Sequence, residues 1–374
     1  MKRDALHAGA ASHAPHAPHA GHAGHAGQDV GDPRGGARAR APGDVPRTGF
    51  VAGTLGGAPG GGGADALADS HAAIRVGSRS FAAAARLFPA DVRDDIVSLY
   101  AWCRHCDDVV DGQVMGYGRA VDVAPDDRDA ARERLAALRR ETVEVLGGAP
   151  GASPPFVALA RVLRRHPIPA RWPLDHLDGF AMDVEGTRYA TLDELLGYCW
   201  RVAGVVGTMT ATIMGARDPR VLDRACDLGV AFQLTNIARD VVDDARAGRA
   251  YLPGEWLAAA GVPPDALADP AHRAALAAVA ARLLDAAEPY YASARIGLRA
   301  LPPRSAWAVA TALSTYRAIG TRVRELGPRA WDARASTSGA AKLGHALAAL
   351  PSALRVRRVP PGASPRSGLF TRPG

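Results

Sequence analysis

Two polar stripes, each set in an otherwise apolar helical run, limit this chain more than any other feature. The first lies in Tyr100-Ala-Trp-Cys-Arg-His-Cys-Asp-Asp-Val-Val-Asp111. Tyr100, Arg104, Asp107 and Asp111 recur at steps of four, three and four, which on a helix makes one line along one face. The second lies in Phe232-Gln-Leu-Thr-Asn-Ile-Ala-Arg-Asp-Val-Val-Asp-Asp244, where Gln233, Asn236, Asp240 and Asp244 step by three, four and four. Arg239 and Asp243 fall together on its flank. Carboxylates at i and i+4 repel each other, so such a pair needs a positive partner. A salt-bridge or capping patch would explain one stripe. Two with the same spacing, each accompanied by arginine and amide or hydroxyl groups, point to clustered oxygen ligands for a hard cation. Mg²⁺ takes one or two carboxylates, keeps waters, and completes its octahedron with substrate phosphates. Arg104 and Arg239 supply forked donors for phosphate oxygens. Together these groups make a diphosphate a better leaving group.

The rest of the middle of the chain also reads as helix. Helical periods run over Val92–Val110, Arg128–Leu146, Leu192–Met214, Leu222–Ala245, Ala271–Ala300 and Ser305–Leu326. Pro and Gly clusters at Gly147–Pro155, Pro167–Pro173, Pro253–Pro264 and Pro302–Pro303 punctuate them. No alternating strand run with hairpin signals is evident. The expectation is an all-α fold with one helical domain over 69–350.

The flanks differ in composition. Residues 1–68 form a low-complexity tail of His, Ala, Gly and Pro, holding six of the twelve histidines, and read as disordered. Residues 351–374 carry five Arg and no acid and read as a second disordered tail, with a charge suited to an anionic membrane surface. The formal net charge of +7 sits entirely in the two flanks, at +2 over residues 1–64 and +5 over 351–374, while the body sums to zero. A nucleic-acid protein carries its basic face on the fold, so that class is set aside. The four cysteines suit a reducing compartment, and Cys103-x-x-Cys106 has no second pair at zinc spacing. No basic start followed by an apolar block marks a signal peptide, and no apolar run is long enough to span a bilayer.

The motifs resemble those of the squalene/phytoene synthase family. The resemblance is carried by Gly77-Ser-Arg-Ser-Phe81, both acidic runs, Tyr198-Cys-Trp-Arg-Val-Ala-Gly-Val-Val-Gly207 and Gly248-Arg-Ala-Tyr-Leu-Pro253. Trp331-Asp-Ala-Arg-Ala-Ser-Thr-Ser338 is similar to bacterial members in particular. This implies an isoprenoid synthase fold, a helical bundle around a deep central cavity. It implies head-to-head condensation of two geranylgeranyl diphosphates through prephytoene diphosphate to phytoene, with Mg²⁺ (or Mn²⁺) and without the NADPH that squalene synthase uses. Asp107, Asp111, Asp240 and Asp244 match the metal ligands, and Asp108 and Asp243 stand next to them. Arg104, Arg239, Asn236 and Gln233 match diphosphate and metal positions. Ser78 and Ser80 match a phosphate-contacting pair at a helix start, where free N–H groups favour anions. Tyr100 and Tyr198 match aromatic positions near the reacting carbons, where a ring face stabilises an allylic cation. Phe81, Tyr316 and Arg334 match further substrate positions.

The resemblance also implies a cytoplasmic enzyme lying peripherally at the inner membrane surface, with room for association with other carotenoid enzymes. The small residues Ala82 to Ala85 after Phe81 are expected to leave tunnel space for a long tail. Ala203, Gly204 and Gly207 either bring helices close or make room for that tail. Three other readings stand beside this one. A family member acting on farnesyl diphosphate would make presqualene diphosphate, squalene or dehydrosqualene. A head-to-tail polyprenyl synthase or terpene cyclase would share the acidic motifs but not the Gly248–Pro253 run. A non-catalytic scaffold relative would be expected to lose the four aspartates, which are all present.

Overall fold

The computed structural model describes residues 66–71, 85–114, 117–119, 128–333, 335, 339–354 and 366–373. All of these belong to one compact unit, Gly57–Gly374. The expected His-rich segment, Ser78, Ser80, Phe81, Ala82 to Ala84, Arg334 and Arg355 to Arg358 lie outside the described residues.

The first long helix, α1, runs Ala90–Asp111, starts after Pro89 and stops at Gly112. Gly112 adopts a left-handed φ of 61°, which costs a glycine little, and its N–H closes the last turn. A short antiparallel ribbon of Gln113–Val114 (β1) and Tyr117–Arg119 (β2) follows, an element the sequence pattern does not announce. Then come α2 (Arg128–Leu146), α3 (Pro154–Arg165) and α4 (Arg171–Val184). The prolines taken as punctuation open helices here. Pro154 and Pro155 occupy the first turn of α3, where a missing N–H costs nothing, and Pro173 does the same in α4.

The Leu192–Met214 run is one helical rod with a defect. α5 (Leu192–Cys199) passes through a π-helical turn, Trp200–Gly204, into α6 (Val205–Ile213). The wider turn is matched by a side chain: His176 Nδ1 donates to the Arg201 carbonyl at 3.1 Å. Burial holds that imidazole neutral, with its pKa lowered to about 4. π-turns of this kind collect at functional sites, and this one begins two residues after Tyr198.

α7 (Pro219–Arg246), the longest helix among the described residues, is capped by Asp218, whose carboxylate accepts the Arg220 N–H at 2.9 Å. It packs against the π-turn, α6, α9 (Arg273–Gly297) and α10 (Pro303–Leu326). Between them lies the short α8 (Gly254–Ala259), and α11 (Gly339–Leu354) covers α10. Two glycines let α7 approach. A Cβ on Gly229 would lie 2.3 Å from the Ala203 carbonyl oxygen, and one on Gly207 would lie 2.4 Å from that of Ala225. The helices meet backbone to backbone, so the close-approach reading of this small-residue cluster holds.

A stability test follows. Gly229→Ala places a methyl group against a carbonyl that cannot move without shifting the π-turn, and is expected to cost about 3 kcal/mol, the upper end of overpacking. Gly197→Ala, whose Cβ meets only the far end of Arg201 at 3.6 Å, is expected to be neutral or stabilising. Thermal melts of the two variants check this, and equal midpoints would remove the close-approach account.

The C-terminal segment departs from the expected tail. Residues 366–373 lie against α7 and α9, and Leu369 and Phe370 pack on the core. Arg366 donates to both carboxylate oxygens of Asp227 at 2.8 and 2.7 Å. Arg372 donates to Asp223 at 2.7 Å, and the Phe370 N–H donates to the Tyr290 hydroxyl at 3.1 Å. The physical reason is charge matching. α7 turns two aspartates toward this face, and the two arginines that read as free surface charge neutralise them.

Candidate active site

The two acidic stripes face one polar cavity of about 540 Å³. α1 contributes Tyr100, Arg104, Asp107 and Asp111, and α7 contributes Gln233, Asn236, Arg239, Asp240 and Asp244. A second, apolar cavity of about 770 Å³ adjoins it and shares Val202, Val206, Gln233 and Asn236 with it. Small residues such as Ala203, Gly207, Ala225, Gly229 and Ala312 shape the apolar wall. Tyr316 also lines it, stacked on Phe232 with ring centroids 4.2 Å apart. Ala85, expected in the tunnel wall, is buried and is not part of this lining. The described wall comes from Arg86 to Phe88 just after it, the π-turn, α6, α7, α9 and α10.

The chamber is held together by its own ion pairs. Arg104 bridges Asp107 at 3.0 Å and Asp108 at 2.9 Å. Asp108 is therefore a buried anchor for Arg104 and does not line the cavity. Arg239 forks onto Asp240, and Arg249 reaches across to Asp111. Asp243 does not share this arrangement; it is exposed and sits 3.4 Å from Arg246. Burial, then the charge of Asp111, pushes the Asp107 carboxyl up to about 6. Burial, then the charge of Asp240, pushes Asp244 up to about 7. The chamber thus holds more carboxylate than its arginines neutralise.

The sequence reading missed a fifth aspartate of this cavity. Asp183, on α4, accepts the Tyr198 hydroxyl at 3.0 Å and the Tyr251 hydroxyl at 2.8 Å. Burial raises its pKa to about 6, against the opposing pull of Arg249 and the two phenols. The Tyr198 and Tyr251 rings stack at 5.1 Å, with Tyr189 beside them at 5.4 Å from Tyr198. Arg249 and Tyr251 stood inside the Gly248–Pro253 run, and only their roles were unread. Asp183 carried no periodic signal, because its partners come from α5 and the loop after α7. Burial also raises the Tyr100 phenol to about 12, so it stays protonated at neutral pH.

The donor set suits a divalent cation bound jointly with a diphosphate. Among the described residues no three His, Cys, Asp or Glu side chains converge as a ready metal site. The carboxylates instead stand as two i, i+4 pairs on separate helices. Asn236 adds a buried side-chain oxygen with no partner, on the lining of the same cavity. Unfilled oxygens of this kind match a cation that takes its remaining ligands from substrate phosphates.

An all-helical bundle enclosing an acidic, arginine-braced chamber that opens into an apolar pocket is the architecture of an isoprenoid synthase, a prenyl transferase type of enzyme. The squalene/phytoene synthase sequence profile matches residues 74–341, and the chain belongs to that family. It is 54% identical over 310 residues to a 15-cis-phytoene synthase of Paracoccus sp. (strain N81106 / MBIC 01143), spanning 83% of this chain and 98% of that one. It is 53% identical to a phytoene synthase of Pseudescherichia vulneris, over 79% and 94% of the two chains. Among solved structures, a dehydrosqualene synthase in complex with ligand superposes with a TM-score of 0.68 at 27% identity, covering 77% of this chain and 96% of that one. A squalene synthase from Alicyclobacillus acidocaldarius shares the fold, with a TM-score of 0.61 at 23% identity over 70% and 94% of the chains.

Proposed function

We propose that the chain condenses two molecules of geranylgeranyl diphosphate head to head, through prephytoene diphosphate, into 15-cis-phytoene. The observation that carries this reading is the joining of the two cavities. An ionic chamber that can hold diphosphate opens directly onto an apolar pocket that can hold prenyl tails. The identity to named phytoene synthases supports the C20 substrate over the C15 one. In the chamber, Arg104, Arg239 and Gln233 grip phosphate oxygens. Asp107, Asp111, Asp240 and Asp244, with the Asn236 oxygen, would hold Mg²⁺ (or Mn²⁺). That cation supplies charge neutralisation to the departing diphosphate. Tyr100 and Tyr198 offer ring faces to the allylic cation. Asp183 fixes the Tyr198 and Tyr251 rings by accepting both hydroxyls. Ser78, Ser80, Phe81, Tyr316 and Arg334 complete the substrate contacts. Each half-reaction releases one diphosphate and one proton, and no reductant enters. Four free thiols fit a cytoplasmic setting. Among the described residues no helix is long and apolar enough to cross a membrane.

The deciding experiment supplies Mg²⁺ with geranylgeranyl or farnesyl diphosphate, without NADPH, and identifies the hydrocarbon by mass and ultraviolet spectrum. A C40 hydrocarbon with a conjugated-triene chromophore is expected from the C20 substrate. A C30 product from farnesyl diphosphate alone would move the chain to the C15-using members of the family.

The pH dependence has a definite sign. In metal-free protein the folded pKa values of Asp107 and Asp244, about 6 and about 7, stand above an unfolded value of about 4. Their contribution to stability is therefore full below about pH 4 and is lost as pH rises through 6 to 7. Metal binding needs the ionised carboxylates, so it gains over the same window. Melting midpoints are expected to fall from about pH 5 to 8 without metal and to rise with Mg²⁺ and diphosphate present. Slopes of the same sign would remove these carboxylates from the metal site.

A further inference from the structure

We infer that the far end of the apolar cavity, where Met214 and Val221 flank the α6–α7 connection, is the stop that admits a four-unit prenyl tail and turns away a five-unit one. This rests on the phytoene synthase reading of the site, and it adds which residues measure the substrate.

One face of α7 forms the cavity wall over its whole depth. Val221, Ala225, Leu228, Phe232 and Asn236 follow one another along it at steps of four, three, four and four. Asn236 also lines the ionic chamber, so the reacting end of a bound tail lies at that level. From Asn236 back to Val221 is fifteen residues, about 22 Å of helix. The π-turn and α6 make a second wall that runs the other way, from Val202, which also borders the chamber, to Met214 just past the end of α6. The chain then turns and enters α7 at Pro219. Both walls therefore lead from the chamber to the same turn. Met214 and Val221 are buried on either side of it and line the cavity.

The depth matches one tail length. An isoprene unit adds four chain bonds, roughly 5 Å when extended. Three units reach roughly 15 Å, four roughly 20 Å and five roughly 25 Å. A four-unit tail ends at Val221, a three-unit tail ends short of it, and a five-unit tail runs into the wall.

That wall is hard to displace. Arg224, one turn from Val221, is buried in the lining at this depth. Its guanidinium donates to the Ser293 carbonyl at 3.2 Å and to the Ser293 hydroxyl at 3.0 Å. Ser293 in turn donates to Asp227, which Arg366 neutralises. A Cβ on Gly297 would lie 2.8 Å from the Arg224 Cβ, so α9 already presses on the arginine stem. Apolar side chains can repack around an overlong tail. A buried ionic cluster cannot, because moving one member strands the charge of another.

The test gives full-length enzyme with Mg²⁺ the C15, C20 and C25 prenyl diphosphates separately and compares kcat/KM. Wild type should use C20 at least tenfold better than C25, the lower end of what a pocket discriminates for one added methylene. Met214→Ala with Val221→Ala removes as many heavy atoms as one isoprene unit adds, and should raise the C25-to-C20 ratio at least tenfold. Ala225→Leu, one turn nearer the chamber, should instead raise the C15-to-C20 ratio by a similar factor. The two changes act in opposite directions, and thermal melts establish that each variant is folded. If the alanine pair does not fold, Val221→Ala alone and Ala225→Leu still read the stop. Wild type that uses C25 as well as C20 would overturn the inference, as would folded variants that keep the wild-type ratios. Wild type active on the C15 substrate alone would strike the function reading, and the alanine pair would then test the stop separately, by whether it gains the C20 substrate.

Discussion

Replacing Asp244 by Asn is expected to lower kcat/KM for hydrocarbon formation by about 10³-fold, or roughly 4 kcal/mol of transition-state stabilisation. The change is isosteric and removes one charge from a chamber built of two carboxylate pairs. Asp244 lies one turn from Asp240 on α7, and the charge of Asp240 helps push its pKa to about 7. The same substitution should therefore leave the metal-free fold as stable as before or more so, because it removes the cost of burying a charge and a repulsion that Arg249 and Arg239 offset only in part. The two effects have opposite signs, which separates a functional role from a structural one. Product analysis and a metal-free thermal melt on one preparation read both. An activity loss accompanied by an equally large loss of stability would make Asp244 a packing residue.

The second large effect is expected far from the chemistry. Asp227 is 0% exposed and is neutralised by Arg366, with the Ser293 hydroxyl also donating to it. Arg366→Ala leaves a buried carboxylate without its counter-charge, a change that costs about 3–5 kcal/mol. For a domain of this size the melting midpoint should fall by about 10 °C. Asp227→Asn added to Arg366→Ala should recover more than half of the loss, since the unpaired charge is then gone. A double variant no better than the single one would mean that the segment acts through Leu369 and Phe370, not through the ion pair. Because Asp227 and the cavity-lining Leu228 and Gly229 are neighbours on α7, loss of this brace should also loosen the tail pocket.

The sequence by itself brought the side chains of the polar cavity together, because their spacing is periodic. Four aspartates, two arginines, Gln233 and Asn236 fall on helical lines, and helical spacing alone puts them on common faces. It carried most of the long helices for the same reason. α3 and α4 escaped notice because their opening prolines look like breaks until one sees them in the first turn, where a missing N–H is harmless. The β1–β2 ribbon is too short to show an alternating pattern.

What only the tertiary structure decided depends on pairs from distant parts of the chain. Asp183 is one acid on α4 until Tyr198 and Tyr251 arrive from other elements to share it. Arg249 becomes part of the chamber only by reaching Asp111, and Asp108 and Asp243, adjacent in sequence to Asp107 and Asp244, are sorted by which way their helix faces: one anchors Arg104 and the other meets solvent. The basic C-terminus reads as free charge in one dimension and becomes a neutralising strap in three, because the acids it meets lie some 140 positions earlier on α7. Helical period is a local property that each residue shares with its neighbours along the chain. Desolvation and charge pairing are properties of a place, and a place exists only once the helices have packed.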